Sequence, residues 1–162
     1  MSGGVKAGGV RGRIGGPAAH AGYAGDVSAR EAWRLLEDAS DALLLDVRTR
    51  AEWAYVGLPD ISATGRPLLT VEWQGFPGGT PNPLFLAQAR EELEAAGAGA
   101  DAAILCLCRS GQRSAAAAAA LTAAGFTRCF NVADGFEGPR DGEGRRGRVA
   151  GWKAAGLPWH QS

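Results

Sequence analysis

Residues 103–114 read Ala-Ile-Leu-Cys-Leu-Cys-Arg-Ser-Gly-Gln-Arg-Ser, and this segment is the most informative part of the sequence. Its first five residues form an apolar run that is typical of a buried strand. Cys108 and a short polar loop follow directly. The next run, residues 115–121, is almost all alanine and predicts a helix, because alanine has the highest helix propensity. The sequence therefore places a cysteine between the carboxyl end of a strand and the start of a helix.

This position favours the thiolate form of Cys108. N–H groups of the loop can point at the sulfur, and the amino terminus of a helix adds partial positive charge. Arg109 and Arg113 bring two full charges to the same loop. The two histidines, His20 and His160, lie far away in sequence, so we expect the loop itself to activate the thiol. The alternative is a buried structural cysteine in an ordinary turn.

The composition predicts one ordinary globular domain. The chain has 162 residues, of which 46% are hydrophobic and 21% charged. No apolar run approaches the roughly 18 residues of a membrane span, and the first 25 residues lack the apolar segment of a secretory signal. Three cysteines, an odd number, indicate reduced thiols and a cytoplasmic protein. Residues 1–23 are rich in glycine and are expected to form a flexible tail before a single domain, 24–162.

Charge is unevenly distributed, although the net charge is zero. Residues 139–153 contain five basic residues against Asp141 and Glu143, and the body of the chain before them is acidic. An acidic body with positive charge at the cysteine loop favours a small anionic substrate over nucleic acid. The simpler interpretation of the basic stretch is a solvated surface turn.

Strand-like and helix-like segments alternate along the chain. Ser28 and Glu31 form a capping box that should start a helix. Strands are expected at residues 42–45, 68–71, 103–107 and 127–132, and a last short helix near Trp152. The alternation predicts an α/β fold with a mainly parallel sheet. Ligands of such sheets bind beyond the carboxyl ends of the strands, where both Asp46 and Cys108 fall.

An ordered set of segments resembles the rhodanese-like sulfurtransferase family. The matching pieces are Asp46-Val47-Arg48 with Glu52-Trp53, the loop at residues 108–114, Asn131-Val132 with Gly135, and Gly151-Trp152 with residues 156–159. The resemblance implies a central, mainly parallel sheet with helices on both faces. It also implies transfer of sulfane sulfur from thiosulfate or a related donor to a thiophilic acceptor, through a persulfide on Cys108.

The resemblance also implies residue roles. Cys108 is the nucleophile, and the binding cradle consists of Arg109, Ser110, Gly111, Gln112 and Arg113. Arg109 is the candidate for meeting an incoming sulfonate, and Arg113 closes the loop. Asp46 and Arg48 are expected to brace the loop, with Arg48 paired to Glu52. The expected partners are a small anionic sulfur donor and a thiol or protein sulfur acceptor, with no nucleic acid, no membrane, no metal and no organic cofactor.

Two other functions share this fold. Related phosphatases and arsenate reductases have a cysteine-to-arginine loop one residue longer, which leaves room for a tetrahedral anion. Only four residues separate Cys108 from Arg113, which favours a single sulfur atom. The second alternative is a sulfur carrier or interaction domain without turnover. Cys106 and Cys129 are interpreted as core residues, with a redox partner for Cys108 as the alternative.

Overall fold

The computed structural model describes residues 22–161, and a five-stranded sheet forms its centre. The strands are β1 (Gly25–Val27), β2 (Leu43–Asp46), β4 (Leu68–Thr70), β5 (Ala103–Leu107) and β6 (Arg128–Val132). Their order in the sheet is β1-β6-β5-β2-β4, and all four pairings are parallel. A separate antiparallel pair joins β3 (Leu58–Pro59) to β7 (Trp159–His160). The predicted α/β fold with a mainly parallel sheet is confirmed.

Helices cover both faces of the sheet, as expected. They are α1 (Ala29–Asp38), α2 (Arg50–Tyr55), α3 (Phe85–Ala95) and α4 (Gln112–Ala123). Apolar residues of α1 pack on one face, and those of α3 and α4 pack on the other. No helix within residues 22–161 is long and apolar enough to cross a bilayer.

Strand β5 lies in the middle of the sheet and is buried along its whole length. Successive side chains of a strand point to opposite faces. Accordingly, Leu105 and Leu107 join the α1 side of the core, whereas Cys106 and Cys108 join the α3 and α4 side. The alanines of α4 allow that helix to lie close to the sheet, since Ala117 is fully buried there. This packing sets the position at which the chain leaves β5 and enters α4.

The prediction of a last helix near Trp152 is wrong, because that segment forms only turns. Gly151 has a φ of 103° and Gly156 a φ of 75°, both in the left-handed region that interrupts a helix. Trp152 is fully buried, and its indole N–H donates to the carbonyl oxygen of Pro158 at 2.7 Å.

The predicted tail lies almost entirely outside the described residues. Tyr23, its last residue, is buried, and its hydroxyl donates to Asp26 at 2.9 Å. Strand β1 was not expected from the sequence, because a three-residue strand has no periodicity of its own. It depends on pairing with β6.

The segment after β6 is joined to the segment after β5 by backbone hydrogen bonds. The N–H of Phe136 donates to the carbonyl of Cys108 at 2.8 Å. The N–H groups of Glu137 and Gly138 both donate to the carbonyl of Arg109 at 3.0 Å. The cysteine loop is therefore held from outside by a remote part of the chain.

This close contact predicts that Gly135→Ala destabilises the protein. Gly135 has a φ of 71°, and a Cβ there would overlap the carbonyl of Arg109. Gly97→Ala is the matched control, since Gly97 has a φ of 86° and open space around it. The control should lose about 1–2 kcal/mol of unfolding free energy from the backbone alone. Gly135→Ala should lose a further ~1–3 kcal/mol from overpacking, measured by urea denaturation. Equal losses would show that the contact is not tight.

Candidate active site

Three hydrogen-bond donors surround the sulfur of Cys108. The N–H of Gly111 lies 3.1 Å from Sγ, the N–H of Ser114 lies 3.3 Å away, and Ser114 Oγ lies 3.1 Å away. Cys108 is only 1% exposed, so Sγ forms the floor of the loop. Such converging donors stabilise negative charge on sulfur.

The helix start supplies one of these donors. Helix α4 begins at Gln112, so Gln112 and Arg113 belong to its first turn and not to the loop that the sequence predicted. The first N–H groups of a helix have no partner within the helix, and the N–H of Ser114 is used for Sγ. Gly111 precedes the helix with a φ of 102°, and a Cβ there would overlap the carbonyl of Ala133. Glycine is therefore required at this position.

Ser114 and Asn131 are site residues to which the sequence interpretation gave no role. Ser114 Oγ lies 2.6 Å from Asn131 Oδ1, and the Asn131 amide donates to the carbonyl of Gly111 at 3.2 Å and to Asp26 at 3.2 Å. Both amide hydrogens are thus in use, which orients Oδ1 toward Ser114. A Cys108 thiol can donate to Oγ while the hydroxyl donates to Oδ1. Beside a thiolate, the single hydroxyl proton is shared between Oδ1 and the sulfur, while the N–H groups of Gly111 and Ser114 remain donors to Sγ. Ser114 ends the cysteine loop and Asn131 belongs to the Asn131-Val132 segment of the family resemblance, so both positions could have been identified from the sequence.

The buried network extends to the start of the described chain. Asp26 accepts from Asn131 and from the hydroxyl of Tyr23. Desolvation of the phenol, with the Asp26 carboxylate beside it, raises the pKa of Tyr23 to about 12. Tyr23 therefore stays protonated and remains a donor to Asp26 across the physiological pH range.

Arg113 closes the loop through an ion pair with Glu52. Its two terminal nitrogens donate to the two carboxylate oxygens at 2.7 and 3.0 Å. Glu52 is placed by a capping box at the start of α2, in which it accepts from the N–H of Thr49 at 3.1 Å. Burial alone would raise the pKa of Glu52, but the hydrogen bonds and charge of Arg113 outweigh it and hold the pKa below its usual value. The same bonds raise the pKa of Arg113.

The expected pairing of Arg48 with Glu52 is wrong. Arg48 pairs instead with Asp46, with an Nη2 to Oδ2 distance of 2.7 Å, and both side chains are fully buried. Arg48 precedes the capping residue Thr49 and lies outside α2, so the geometry of helical i, i+4 pairs does not apply to it. Arg48 also donates to the carbonyl of Gly57 and lies over the ring of Phe136.

The remaining predicted residues lie at the mouth of the loop. Arg109 and Gln112 are exposed, and Ser110 is half-buried between them. A separate open cavity of about 650 Å³ lies beyond the end of β4, and its lining includes Trp53 and Glu72 but not Cys108.

The other two cysteines are buried free thiols. Burial, with the neighbouring sulfurs, raises the pKa of Cys106 well above its ordinary value, and burial raises the pKa of Cys129 to about 11. Both are therefore neutral and poor nucleophiles at physiological pH. Within residues 22–161, no group of three or more His, Cys, Asp or Glu side chains is arranged to hold a metal ion.

Comparison with known proteins gives a family match over most of the chain. The family model described as the STR4 middle domain matches residues 24–162. Uncharacterized proteins of Rickettsia rickettsii and Rickettsia conorii are each 34% identical over 134 residues, covering 83% of this chain and 95% of their own length.

Two solved structures have a similar fold. The crystal structure of Rv0390 from M. tuberculosis is 47% identical, with a TM-score of 0.77, and covers 86% of this chain and 99% of its own. A polysulfide-sulfur transferase homodimer from Wolinella succinogenes is 20% identical, with a TM-score of 0.53 and coverages of 90% and 82%. Together these neighbours support a rhodanese-like fold.

The Glu52–Arg113 pair predicts a pH-dependent loss of stability. Glutamine at position 52 keeps the capping box but removes the charge. The Glu52 carboxyl has a lowered pKa in the folded state, so its stabilisation is present above the ordinary value of 4.5 and is lost as pH falls through the folded value. Wild type should therefore exceed Glu52→Gln by about 2 kcal/mol in unfolding free energy at pH 7.

This difference should shrink as pH falls below about 4. Denaturant unfolding between pH 3 and 7 measures it. The exposed Glu92, which forms no ion pair within residues 22–161, gives the control variant Glu92→Gln, with an expected change of under ~0.5 kcal/mol. A wild-type advantage that stays constant down to pH 3 would contradict the assignment.

Proposed function

Because the chain belongs to the STR4 middle domain family and has a rhodanese-like fold, we propose that it is a sulfurtransferase. It moves sulfane sulfur from thiosulfate or a related donor to a thiophilic acceptor, and Cys108 carries the sulfur as a persulfide. The sequence resemblance to rhodanese-like sulfurtransferases and the sulfur transferase among the fold neighbours agree with this choice.

One observation carries the proposal, namely the two backbone N–H groups and the Ser114 hydroxyl that converge on Cys108 Sγ. They provide a preorganised site for negative charge, and the positive end of α4 adds to it. Burial raises the pKa of both Cys106 and Cys129, so neither is readily converted to a thiolate. Cys108 is therefore the cysteine suited to attack an electrophilic sulfur.

In the first half-reaction, the Cys108 thiolate attacks the outer sulfur of thiosulfate. A bond forms between Sγ and that sulfur while the bond to the sulfonate sulfur breaks, and sulfite leaves with the electron pair. The product is a Cys108 persulfide anion, with its negative charge on the outer sulfur. Sγ lies on the floor of the loop, so the narrow sulfane end enters while the sulfonate stays outside, near the exposed Arg109.

In the second half-reaction, a nucleophile attacks the outer sulfur of the persulfide. The acceptor is cyanide in an assay and a thiol or protein sulfur carrier in the cell. The sulfur–sulfur bond breaks, and Cys108 returns as a thiolate, again stabilised by the loop donors. Such a scheme has a covalent intermediate and ping-pong kinetics. A thiol acceptor and the three free cysteines of this chain agree with a reducing cytoplasm.

The other predicted residues act on the shape of the site. Gly111 supplies an N–H to Sγ, and Ser110 and Gln112 complete the backbone of the cradle. Arg113 fixes the first turn of α4 through Glu52. Asp46 and Arg48 are supporting residues, because their ion pair is buried beneath the strand ends.

A thiosulfate to cyanide assay, read as thiocyanate formation, tests the proposal. The full chain should turn over with parallel double-reciprocal lines, and Cys108→Ser should lose at least about a thousandfold in rate. The matched controls Cys106→Ser and Cys129→Ser remove buried thiols and should keep turnover of the same order. Persistent activity in Cys108→Ser would contradict the site, and phosphate-ester hydrolysis without thiocyanate formation would favour a phosphatase.

A further inference from the structure

The basic stretch noted in the sequence folds back against residues 137 and 138, which are themselves hydrogen-bonded to the cysteine loop. Glu137 and Gly138 donate from their backbone to the carbonyl of Arg109, as described above. Arg146 Nη1 then donates to the carbonyl of Gly138 at 2.8 Å, and the N–H of Gly147 donates to the carbonyl of Glu137 at 2.7 Å. Gly138 thus connects two arginines that are 37 positions apart in the chain.

Arg109, Arg140 and Arg146 together form a positively charged surface, here called the arginine rim. Partial desolvation, and then the positive charges of Arg109 and Arg140, lower the pKa of Arg146. Within residues 22–161, none of the three forms an ion pair. Glu137 is the one carboxylate whose charge acts favourably on Arg146. The rim therefore has an excess of positive charge.

The neighbouring arginines are different. Arg145 lies 3.6 Å from Glu143, and Arg148 lies 3.9 Å from Asp141 and 3.8 Å from Glu143. Those charges are partly neutralised within their own loop. Arg109, Arg140 and Arg146 have no ion pair within residues 22–161, so the positive charge of the rim is available to an anionic partner.

We propose that the arginine rim binds an acidic acceptor protein. Cys108 delivers its sulfur to a thiol of that protein, and carboxylates around the thiol contact the rim. This inference rests on the proposed function and names its partner. One guanidinium suffices for the sulfonate of a small donor, whereas three lie here on an open surface, with Arg109 and Arg140 exposed. Because Cys108 is 1% exposed, the acceptor must bring its thiol to the mouth of the loop, and its neighbouring carboxylates then meet the rim.

An acidic protein fits the molecule better than a nucleic acid does. Protein surfaces that bind nucleic acid are extended basic stripes, because the phosphate backbone is long and uniformly charged. Outside the basic stretch and the cysteine loop, this chain has more acidic than basic residues. A polyanion that runs beyond the rim would meet like charge, whereas a protein with a local acidic patch would not.

Discharge of a preformed persulfide tests the inference. The probe is a nine-residue peptide with a central cysteine flanked by four aspartates, compared with a peptide that has asparagines in their place. Arg140→Glu/Arg146→Glu should slow discharge by the acidic peptide about tenfold at low salt, and discharge by the neutral peptide little. The effect should fade in 0.5 M NaCl because salt screens exposed charges. Comparing one peptide across proteins cancels any difference in thiol reactivity.

The matched control is Arg34→Glu/Arg90→Glu, the same charge change on exposed positions of α1 and α3. It should leave the preference for the acidic peptide unchanged. If the rim double variant fails to fold, as judged by its Tm, Arg140→Glu alone replaces it. The side chain of Arg140 is exposed, and the expected slowing is then about threefold.

Three results would overturn the inference. One is equal discharge by the acidic peptide in wild type and the rim variant. Another is slower persulfide formation from thiosulfate in the rim variant with unchanged discharge, which would assign the rim to the donor. The third is stronger competition by a thymidine pentanucleotide than by a cysteine-free acidic peptide, which would favour nucleic acid. Failure of wild type to form any persulfide would instead reject the proposed function itself.

Discussion

The hydrogen bonds that converge on Cys108 Sγ are the constraint around which the rest of the site is arranged. To make them, the chain must leave β5, turn within three residues and present the N–H of Gly111 and the first turn of α4 to one atom. That turn requires glycine at 111, which lies against Ala133, and the close approach of the segment after β6 requires glycine at 135. The position of one sulfur therefore determines where a strand, a helix and a remote loop meet.

Two ion pairs support this loop, one near its surface and one in the interior. Arg113 is held by Glu52 at the surface of the site, where both side chains keep some exposure and the charge of Glu52 is pH-dependent. Arg48 is held by Asp46 in the interior, where an unpaired charge would be strongly destabilising. One pair thus fixes the first turn of the helix, and the other fixes the chain between the end of β2 and the start of α2.

Local patterns in the sequence were enough to predict much of this structure. The bounds of β5 and the capping box of α1 are as predicted, because both depend on neighbouring residues. What depends on distant contacts could not be predicted. The resemblance led us to expect Arg48 to pair with Glu52, but Glu52 pairs with Arg113 and Arg48 with Asp46. The basic stretch showed its charge in the sequence, whereas its place beside Arg109 follows from backbone hydrogen bonds across 28 positions or more.

The intact mass of the full chain after incubation with thiosulfate shows whether Cys108 carries sulfur as a persulfide. We expect a gain of one sulfur atom, about 32 Da, which is lost on adding cyanide and is absent from Cys108→Ser. The double variant Cys106→Ser/Cys129→Ser should gain the same mass, since those two thiols are buried and neutral. A gain that persists in Cys108→Ser would place the reactive sulfur on another residue and contradict the assignment of Cys108 as the nucleophile. No gain in wild type would exclude thiosulfate as the donor.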